Sequence, residues 1–538
     1  MQKRYSLTTA LVAVLLLCSL TSCEDILEQY FPHAPAPTPT PTYPSLGLDI
    51  PFYALSGGTR LDAYSTKNPA SRTASVVISG LQPGEKLLAM DFRPATGQLY
   101  GLGSTSRLYV LDQQTGTARA VGSGAFTPAL AGNLVGFDFN PTVDRIRVVT
   151  STGQNLRLHP VTGAVVATEG LINGAEGATL TAVAYTNSRA GAATTELYAI
   201  NTHDQQLYRI SSPNEGTLTA VGALGLSVTG DGGFDIDVKT GTALGLFPVN
   251  GLPTLFSVDL KTGKAQPLAQ YSASLGYTAL AVPSQPVAYT VDSFFAGRTG
   301  VLISLRIFDP TSPHTQPDPA VPDAPVTKTP TGLAVPGQEY LDGIDFRPAT
   351  GQLYLLTSQH TSPYVYRLYT LDAATSAATL VATMGLPLTS EVAAFTFNPT
   401  EDRVRIISFE GQNIRMNPTD GTVVVDAPLT PGGSPFVTDA AYDKGANLYV
   451  VGRDQKLYRQ PSTTSGALTP VGSLGVTDAG LTSFSIGRTN NAAYAFFTGN
   501  SESRVHSVNL ATGQATALSG AFGFTGYLSS DIAVGLGF

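Results

Sequence analysis

The stretch Asp91-Phe92-Arg93-Pro94-Ala95-Thr96-Gly97-Gln98-Leu99-Tyr100 returns letter for letter as Asp345-Phe346-Arg347-Pro348-Ala349-Thr350-Gly351-Gln352-Leu353-Tyr354. Around each copy lies a fainter pattern: an apolar alternation ending on one large residue, a short polar turn, then a second apolar alternation. The large residue recurs at Phe92, Phe139, Tyr185, Ile236 and Val282, and again at Phe346, Phe397, Tyr442, Ile486 and Val534. The identities Phe, Phe, Tyr, Ile, Val thus run through twice, which marks five units duplicated to make ten. A period near 50 residues built from segments that alternate every second residue is the sequence form of propeller blades. The expected fold is all-β: a β-propeller of about ten four-stranded blades in two five-blade halves.

The unit containing Met90 shows the four strands most plainly, at 88–92, 99–102, 108–111 and 118–121. Its last turn, Gln114-Thr115-Gly116, has counterparts in Val161-Thr162-Gly163, Lys261-Thr262-Gly263 and Ala511-Thr512-Gly513, with glycine where a tight hairpin needs positive φ. Two ends are incomplete. Segments 52–55, 60–64 and 74–78 lack a first strand, and 528–534 reads as a first strand with nothing after it. Pairing the termini would remove exposed sheet edges. At the junction of the halves, 278–282 is separated from 287–291 by Pro283-Ser284-Gln285-Pro286, the spacing of a first-to-second-strand hairpin. The expectation is therefore that 529–534 lies antiparallel to 52–55, and 278–282 antiparallel to 287–291. That pairing yields one ring of ten blades or two five-bladed rings that exchange a terminal strand, although propellers typically have 4 to 8 blades.

The N-terminus reads as an export signal. Lys3 and Arg4 precede a mostly apolar run over 7–20, too short to span a bilayer with these flanks. Leu20-Thr21-Ser22-Cys23 resembles the lipobox of bacterial lipoproteins, in which cleavage before the cysteine leaves a lipidated N-terminal residue. The resemblance implies a lipoprotein signal peptide at 1–22, acyl chains on Cys23, and an exported protein attached to the membrane only through lipid. Glu24 and Asp25 resemble the acidic start of surface-exported lipoproteins, so the expected location is the bacterial cell envelope, at the outer membrane or cell surface. With Cys18 in the signal, the mature chain has one cysteine and no internal disulfide. Residues 23–45 form a Pro/Thr-rich stalk of extended geometry, 46–283 the first five-blade half, and 284–538 the second, with a Pro-rich surface loop at 309–337. Thirty-one Lys and Arg stand against 39 Asp and Glu, a formal charge of −8, which leaves no electrostatic footprint for nucleic acid.

A longer set of motifs carries a family resemblance. Phe139-Asn140-Pro141-Thr142-Val143-Asp144-Arg145-Ile146-Arg147 and Gly153-Gln154-Asn155-Leu156-Arg157 follow the first decapeptide. Phe397-Asn398-Pro399-Thr400-Glu401-Asp402-Arg403-Val404-Arg405 and Gly411-Gln412-Asn413-Ile414-Arg415 follow the second. Together they resemble a bacterial domain-of-unknown-function family of secreted proteins, present here in two tandem copies. The resemblance implies a propeller-like fold and supplies no activity, cofactor or catalytic residue.

Chemistry must be sought in the residues. The histidines beyond the stalk (His159, His203, His314, His360, His506) do not repeat between halves, and no HExxH, GxSxG, P-loop or paired-cysteine pattern occurs. Asp231, Asp235 and Asp237 miss the EF-hand spacing and read as turn and strand-end aspartates. The candidate site is the polar set Asp144, Arg145, Arg147, Asn155 and Arg157, with its duplicate Asp402, Arg403, Arg405, Asn413 and Arg415. Alternation places Arg145 and Arg147 on one strand face, and the parity of the turn at 151–153 decides whether Arg157 joins them. Guanidiniums so grouped need carboxylate partners or an anionic ligand. The set is thus either a structural ion-pair network or an anion or acidic-sugar site. These features lean away from an enzyme and call for no cofactor or metal. They favour a binding or scaffolding platform for protein or glycan, with a propeller hydrolase or lyase using channel carboxylates as the alternative.

Overall fold

A computed structural model describes residues 42–295, 301–312, 326–430, 436–461, 465–477, 480–499, 503–518 and 529–538. The expected signal, the lipidated Cys23, the stalk up to residue 41 and the middle of the Pro-rich loop, 313–325, lie outside these residues. No helix among the described residues is long and apolar enough to cross a membrane.

The alternating segments form ten four-stranded antiparallel sheets among the described residues. The expected turn glycines do adopt positive φ: Gly116 +75°, Gly163 +68°, Gly263 +79° and Gly513 +82°. Each first strand lies beside the first strand of the next sheet. Tyr277–Ala281, Leu87–Phe92, Val135–Asn140, Leu180–Tyr185 and Gly233–Ile236 follow one another and return to Tyr277–Ala281. Ser529–Val534, Tyr340–Arg347, Val392–Asn398, Val437–Tyr442 and Gly480–Ile486 close a second circle in the same way. The molecule therefore contains two five-bladed rings.

Neither ring borrows a strand. Pro51–Ser56 pairs with Tyr277–Ala281, with Tyr53 opposite Ala281, and Ala288–Phe295 pairs with Ser529–Val534, with Ala288 opposite Val534. Both terminal pairings expected from the sequence are thus corrected, since 278–282 does not fold back on 287–291 and 529–534 does not reach 52–55. The physical reason lies in the linker and in where it runs. Two prolines hold Pro283-Ser284-Gln285-Pro286 extended and withhold two backbone donors, a poor composition for a tight turn. The linker also has little distance to cover, because the ends it joins lie on the faces by which the rings touch. Tyr289, just beyond it, donates its hydroxyl to the Ala95 carbonyl of the first ring at 2.9 Å.

The duplicated decapeptide forms that contact from both sides. In the first ring its turn places Gly97 at φ +72°, where an added Cβ would lie 2.2 Å from the ring of Phe538. Thr96 O accepts the Gly537 N–H at 2.8 Å. In the second ring the same turn offers Gly351 O to Arg93 at 3.1 Å and Ala349 O to Arg119 at 2.5 Å. Within each ring, apolar faces of adjacent sheets interlock. Tyr100 meets Phe139 edge-on at 5.1 Å, and the repeat pair Tyr354 and Phe397 does the same at 5.1 Å. Phe139 and Phe397 are fully buried, each contributing roughly 1.5–3 kcal/mol of burial.

Candidate functional site

Strand pairing settles the parity of the arginines. Arg157 lies directly opposite Arg147, and Arg415 directly opposite Arg405, so each pair shares one sheet face. The two halves then diverge. In the second ring, Asp426 receives Arg405 Nη1 at 2.6 Å and Arg415 Nε and Nη2 at 2.7 and 2.9 Å, with Glu401 3.7 Å from Arg415. Asn413 and the Tyr442 hydroxyl accept from Arg405 at 2.9 and 3.1 Å. This cluster is filled and neutralised, and Arg403 is exposed beside it.

In the first ring the corresponding carboxylate is Glu169, 3.8 Å from Arg147 and 3.2 Å from Arg157. Neither approach makes an aligned hydrogen bond, which leaves Arg157 Nε and Glu169 Oε1 buried without a hydrogen-bond partner. Arg147 is instead held by neutral acceptors, Asn155 Oδ1 at 3.0 Å and Asn214 Oδ1 at 2.8 Å. Asn155 is fixed in turn by donating to Gly170 O and Pro213 O. A cavity of about 390 Å³ opens here, walled by Arg145, Arg147, Arg157, Tyr185 and the 212–215 turn of the next blade. Arg147 and Arg157 lie side by side there, Arg145 adds to the wall while its guanidinium is directed toward Asp372, and Glu169 lies beside Arg157 with the exposed Glu215 also in the lining.

Asp144 and Asp402 do not join these clusters. Asp144 grips Arg93 of the preceding blade, with Nε at 2.9 Å and Nη2 at 2.5 Å, and Asp402 grips Arg347 at 2.8 and 2.5 Å. Burial alone would lower the Arg93 pKa, and the Asp144 charge overcomes this and holds it above its ordinary value. Asp144 and Asp402 are therefore inter-blade clamps, both at positive φ (+49° and +51°) at the start of their second strands. Arg145 reaches instead toward Asp372 of the second ring, 3.8 Å away, across a cavity of about 280 Å³ that also involves His159. Burial pushes the His159 pKa down, and its Nδ1 accepts the Val161 N–H at 3.1 Å as a turn cap.

The sequence reading missed a second constellation, on the ring axes. The inward N–H groups of the first strands have no fifth strand to pair with. Aspartates on neighbouring first strands accept them: Asp91 from Phe139 N at 2.8 Å, Asp138 from Tyr185 N at 3.0 Å, and Asp235 from Val282 N at 2.6 Å. In the second ring, Asp345 accepts from Phe397 N, Asp439 from Phe484 N and Asp531 from Ile344 N. Asp237 is the turn residue expected, accepting from Thr240 N at 2.9 Å. Asp235 is not, because it sits within an inner strand and is 4% exposed. The signal was present: Asp91, Asp138, Asp235 and Asp345 each directly precede the large recurring residue.

Burial drives these carboxyls up. Asp235 and Asp531 are pushed to about 7, with the Asp345 charge adding to the effect on Asp531. A carboxyl raised in the folded state contributes stability that is complete below the ordinary carboxylate range and lost as pH rises through about 7. Asp531 faces Asp345, Asp439 and, through Asp345, Arg488. The second ring's melting temperature should therefore fall between pH 5 and pH 8, and Asp531→Asn should flatten that slope in calorimetry. An unchanged slope in the variant would place the titration elsewhere.

No curated protein matches the chain. Solved structures that resemble it are distant. A protein of unknown function from Bacteroides thetaiotaomicron is 12% identical, covering 68% of this chain and 94% of its own, with a TM-score of 0.31. The Malassezia sympodialis allergen Mala s 1 is 10% identical over 42% of this chain and 77% of its own, TM-score 0.28. PorZ, a surface component of the type-IX secretion system of Porphyromonas gingivalis, is 13% identical over 86% and 63%, TM-score 0.25. The family comparison is direct: a model described as "Domain of unknown function (DUF4394)" matches residues 60–281 and again 317–532. Two matches that together span most of the chain, each falling on one five-bladed ring, make this protein a member of the DUF4394 family with two tandem copies of its domain.

Proposed function

We propose that the protein is a non-catalytic binding or scaffolding double propeller of the bacterial cell envelope, and that its first ring recognises an acidic group on a protein or glycan. The observation that carries this reading is the asymmetry between the two arginine clusters. The same strand positions are saturated by Asp426 in the second ring, whereas in the first they border a 390 Å³ cavity, where Arg157 Nε lies 3.2 Å from Glu169 Oε1 without an aligned hydrogen bond. A bidentate carboxylate of a uronic acid or an acidic side chain suits guanidiniums on one face. A glycan ligand would stack on tyrosine, since the chain has no tryptophan and 23 tyrosines.

Oligogalacturonate, with neutral oligogalactose as its control, tests the reading. Calorimetric titration should give binding for the acidic chain only, and Arg157→Ala should weaken it at least about tenfold, the scale of one lost charge-assisted hydrogen bond. Glutamate-rich peptides test the protein alternative in the same assay. Failure of both acidic probes would remove the acidic-group reading. The hydrolase or lyase alternative is favoured by one observation, the convergence of Asp91, Asp138 and Asp235 in the first ring. Their burial to 2–4% and their backbone partners favour a structural or ion-binding role instead.

Attachment through Cys23 belongs to the same proposal. Its support is the charged start, the apolar run over 7–20 and the small residues before the cysteine. Cys23→Ser should move the protein from washed membranes to the soluble fraction, because acyl chains would be its membrane attachment. Retention of the variant in membranes would refute the anchor.

A further inference from the structure

Asp91, Asp138 and Asp235 come from first strands far apart in the sequence, yet one oxygen of each lies within 4.8 Å of the others. They are 3%, 2% and 4% exposed. The charges acting on them are one another's and that of Asp237, with no basic side chain among them. The backbone N–H groups of the neighbouring strands do not exhaust their acceptors. Asp138 receives Tyr185 N through Oδ1, and its Oδ2 meets no donor among the described residues.

The second ring shows what such a place holds. There Arg488, two residues beyond the large recurring Ile486, donates to Asp345 Oδ2 at 3.3 Å, to Phe397 O at 3.1 Å and to Tyr442 O. By the repeat, the first-ring counterparts of these three acceptors are the Asp91 carboxylate and the carbonyls of Phe139 and Tyr185. The N–H groups of Phe139 and Tyr185 face the trio, and on an antiparallel strand the carbonyl of the same residue faces the same way. The oxygen cradle therefore recurs, but its built-in cation does not. The position of Arg488 is Val238 in the first ring, in a turn of equal length: Asp237 N to Thr242 O at 2.9 Å matches Gly487 N to Ala492 O at 2.8 Å. Where the second ring has Thr396 and Ser485, the first has Asp138 and Asp235. Each axis thus carries three aspartates, Asp345, Asp439 and Asp531 in the second ring with the Arg488 guanidinium among them, and Asp91, Asp138 and Asp235 in the first with no basic side chain.

We propose that the axis of the first ring binds a divalent cation, with Asp91, Asp138 and Asp235 as its carboxylate ligands. The donor set is oxygen only, without histidine or cysteine, which selects a hard ion. Three carboxylates with two carbonyls, completed by water, suit the six to eight ligands of Ca²⁺ better than the strict octahedron of Mg²⁺. The ion takes the structural place of Arg488 and fastens three of the five inner strands together.

The test uses the purified chain stripped with a chelator and titrated with calcium chloride, then separately with magnesium chloride. One Ca²⁺ per chain should bind, with a rise in melting temperature and weaker binding of Mg²⁺. Asp138→Asn should weaken Ca²⁺ binding at least about tenfold, in line with the loss of one charged ligand from a calcium site. Val238→Arg supplies the cation from the chain itself, so it should abolish the Ca²⁺ response while leaving the chelated protein at least as stable as the wild type. No calorimetric or thermal response of the wild type to Ca²⁺, or an undiminished response in Val238→Arg, would overturn the proposal. If Asp138→Asn does not fold, the wild-type titration and Val238→Arg still decide the question.

Discussion

Asp426→Ala should lower the melting temperature of the second ring by roughly 10 °C. Arg405 is 1% exposed, and Asp426 is the carboxylate that neutralises both it and Arg415. Removing one partner of a buried pair leaves an uncompensated charge and costs about 3–5 kcal/mol. In a ring of this size each kcal/mol moves the melting temperature by about 2–4 °C. Glu169→Ala in the first ring should cost much less. Its contacts to Arg147 and Arg157 are longer, and Arg147 keeps Asn155 and Asn214. Differential scanning calorimetry of the two variants reads this contrast. Equal losses would mean that the two arginine clusters are balanced alike, which would also remove the support for an anion cavity in the first ring.

The second large effect concerns closure. A fragment of residues 46–283 contains Tyr277–Ala281 and should fold as a monomeric ring, whereas 46–275 lacks that strand and leaves the edge of Pro51–Ser56 unpaired. Cutting the full chain after residue 528 should likewise open the second ring. The cut removes six paired positions, from Ala288 with Val534 to Ser293 with Ser529. It also removes the Asp531 bond to Ile344 N and the contact of Phe538 with Gly97. Size-exclusion chromatography and circular dichroism should find 46–283 monomeric with a cooperative melt, and the two shortened chains aggregated. A cooperative, monomeric 46–275 would show that ring closure does not depend on the strand at 277–281.

The arginine sets show how far local pattern reaches. Alternation placed Arg145 and Arg147 on one face because the side-chain period of a strand depends on the backbone alone. The turn at 151–153 then set Arg157 opposite Arg147. Whether the grouped charges were already satisfied depended on residues the motif does not contain. Asp426 meets its arginines squarely, and Glu169, in the corresponding place, does not. The strands at whose ends the two carboxylates sit also differ in register, since the pairing beside Arg157 has a bulge that the pairing beside Arg415 lacks.

The axial aspartates were visible only as a repeated letter before a large residue. Asp91, Asp138 and Asp235 meet because five first strands close around a narrow axis, and no spacing along the chain encodes that approach. Blade count, strand order within each blade and the turn glycines were determined by the sequence alone, since each rests on interactions between residues close along the chain. The partner of each terminal strand was decided only by tertiary structure. The segments 278–282 and 529–534 present chemically similar edges, and either could pair with either waiting sheet. Five blades of this twist close a circle by themselves, so the strand already brought round to the gap takes the edge.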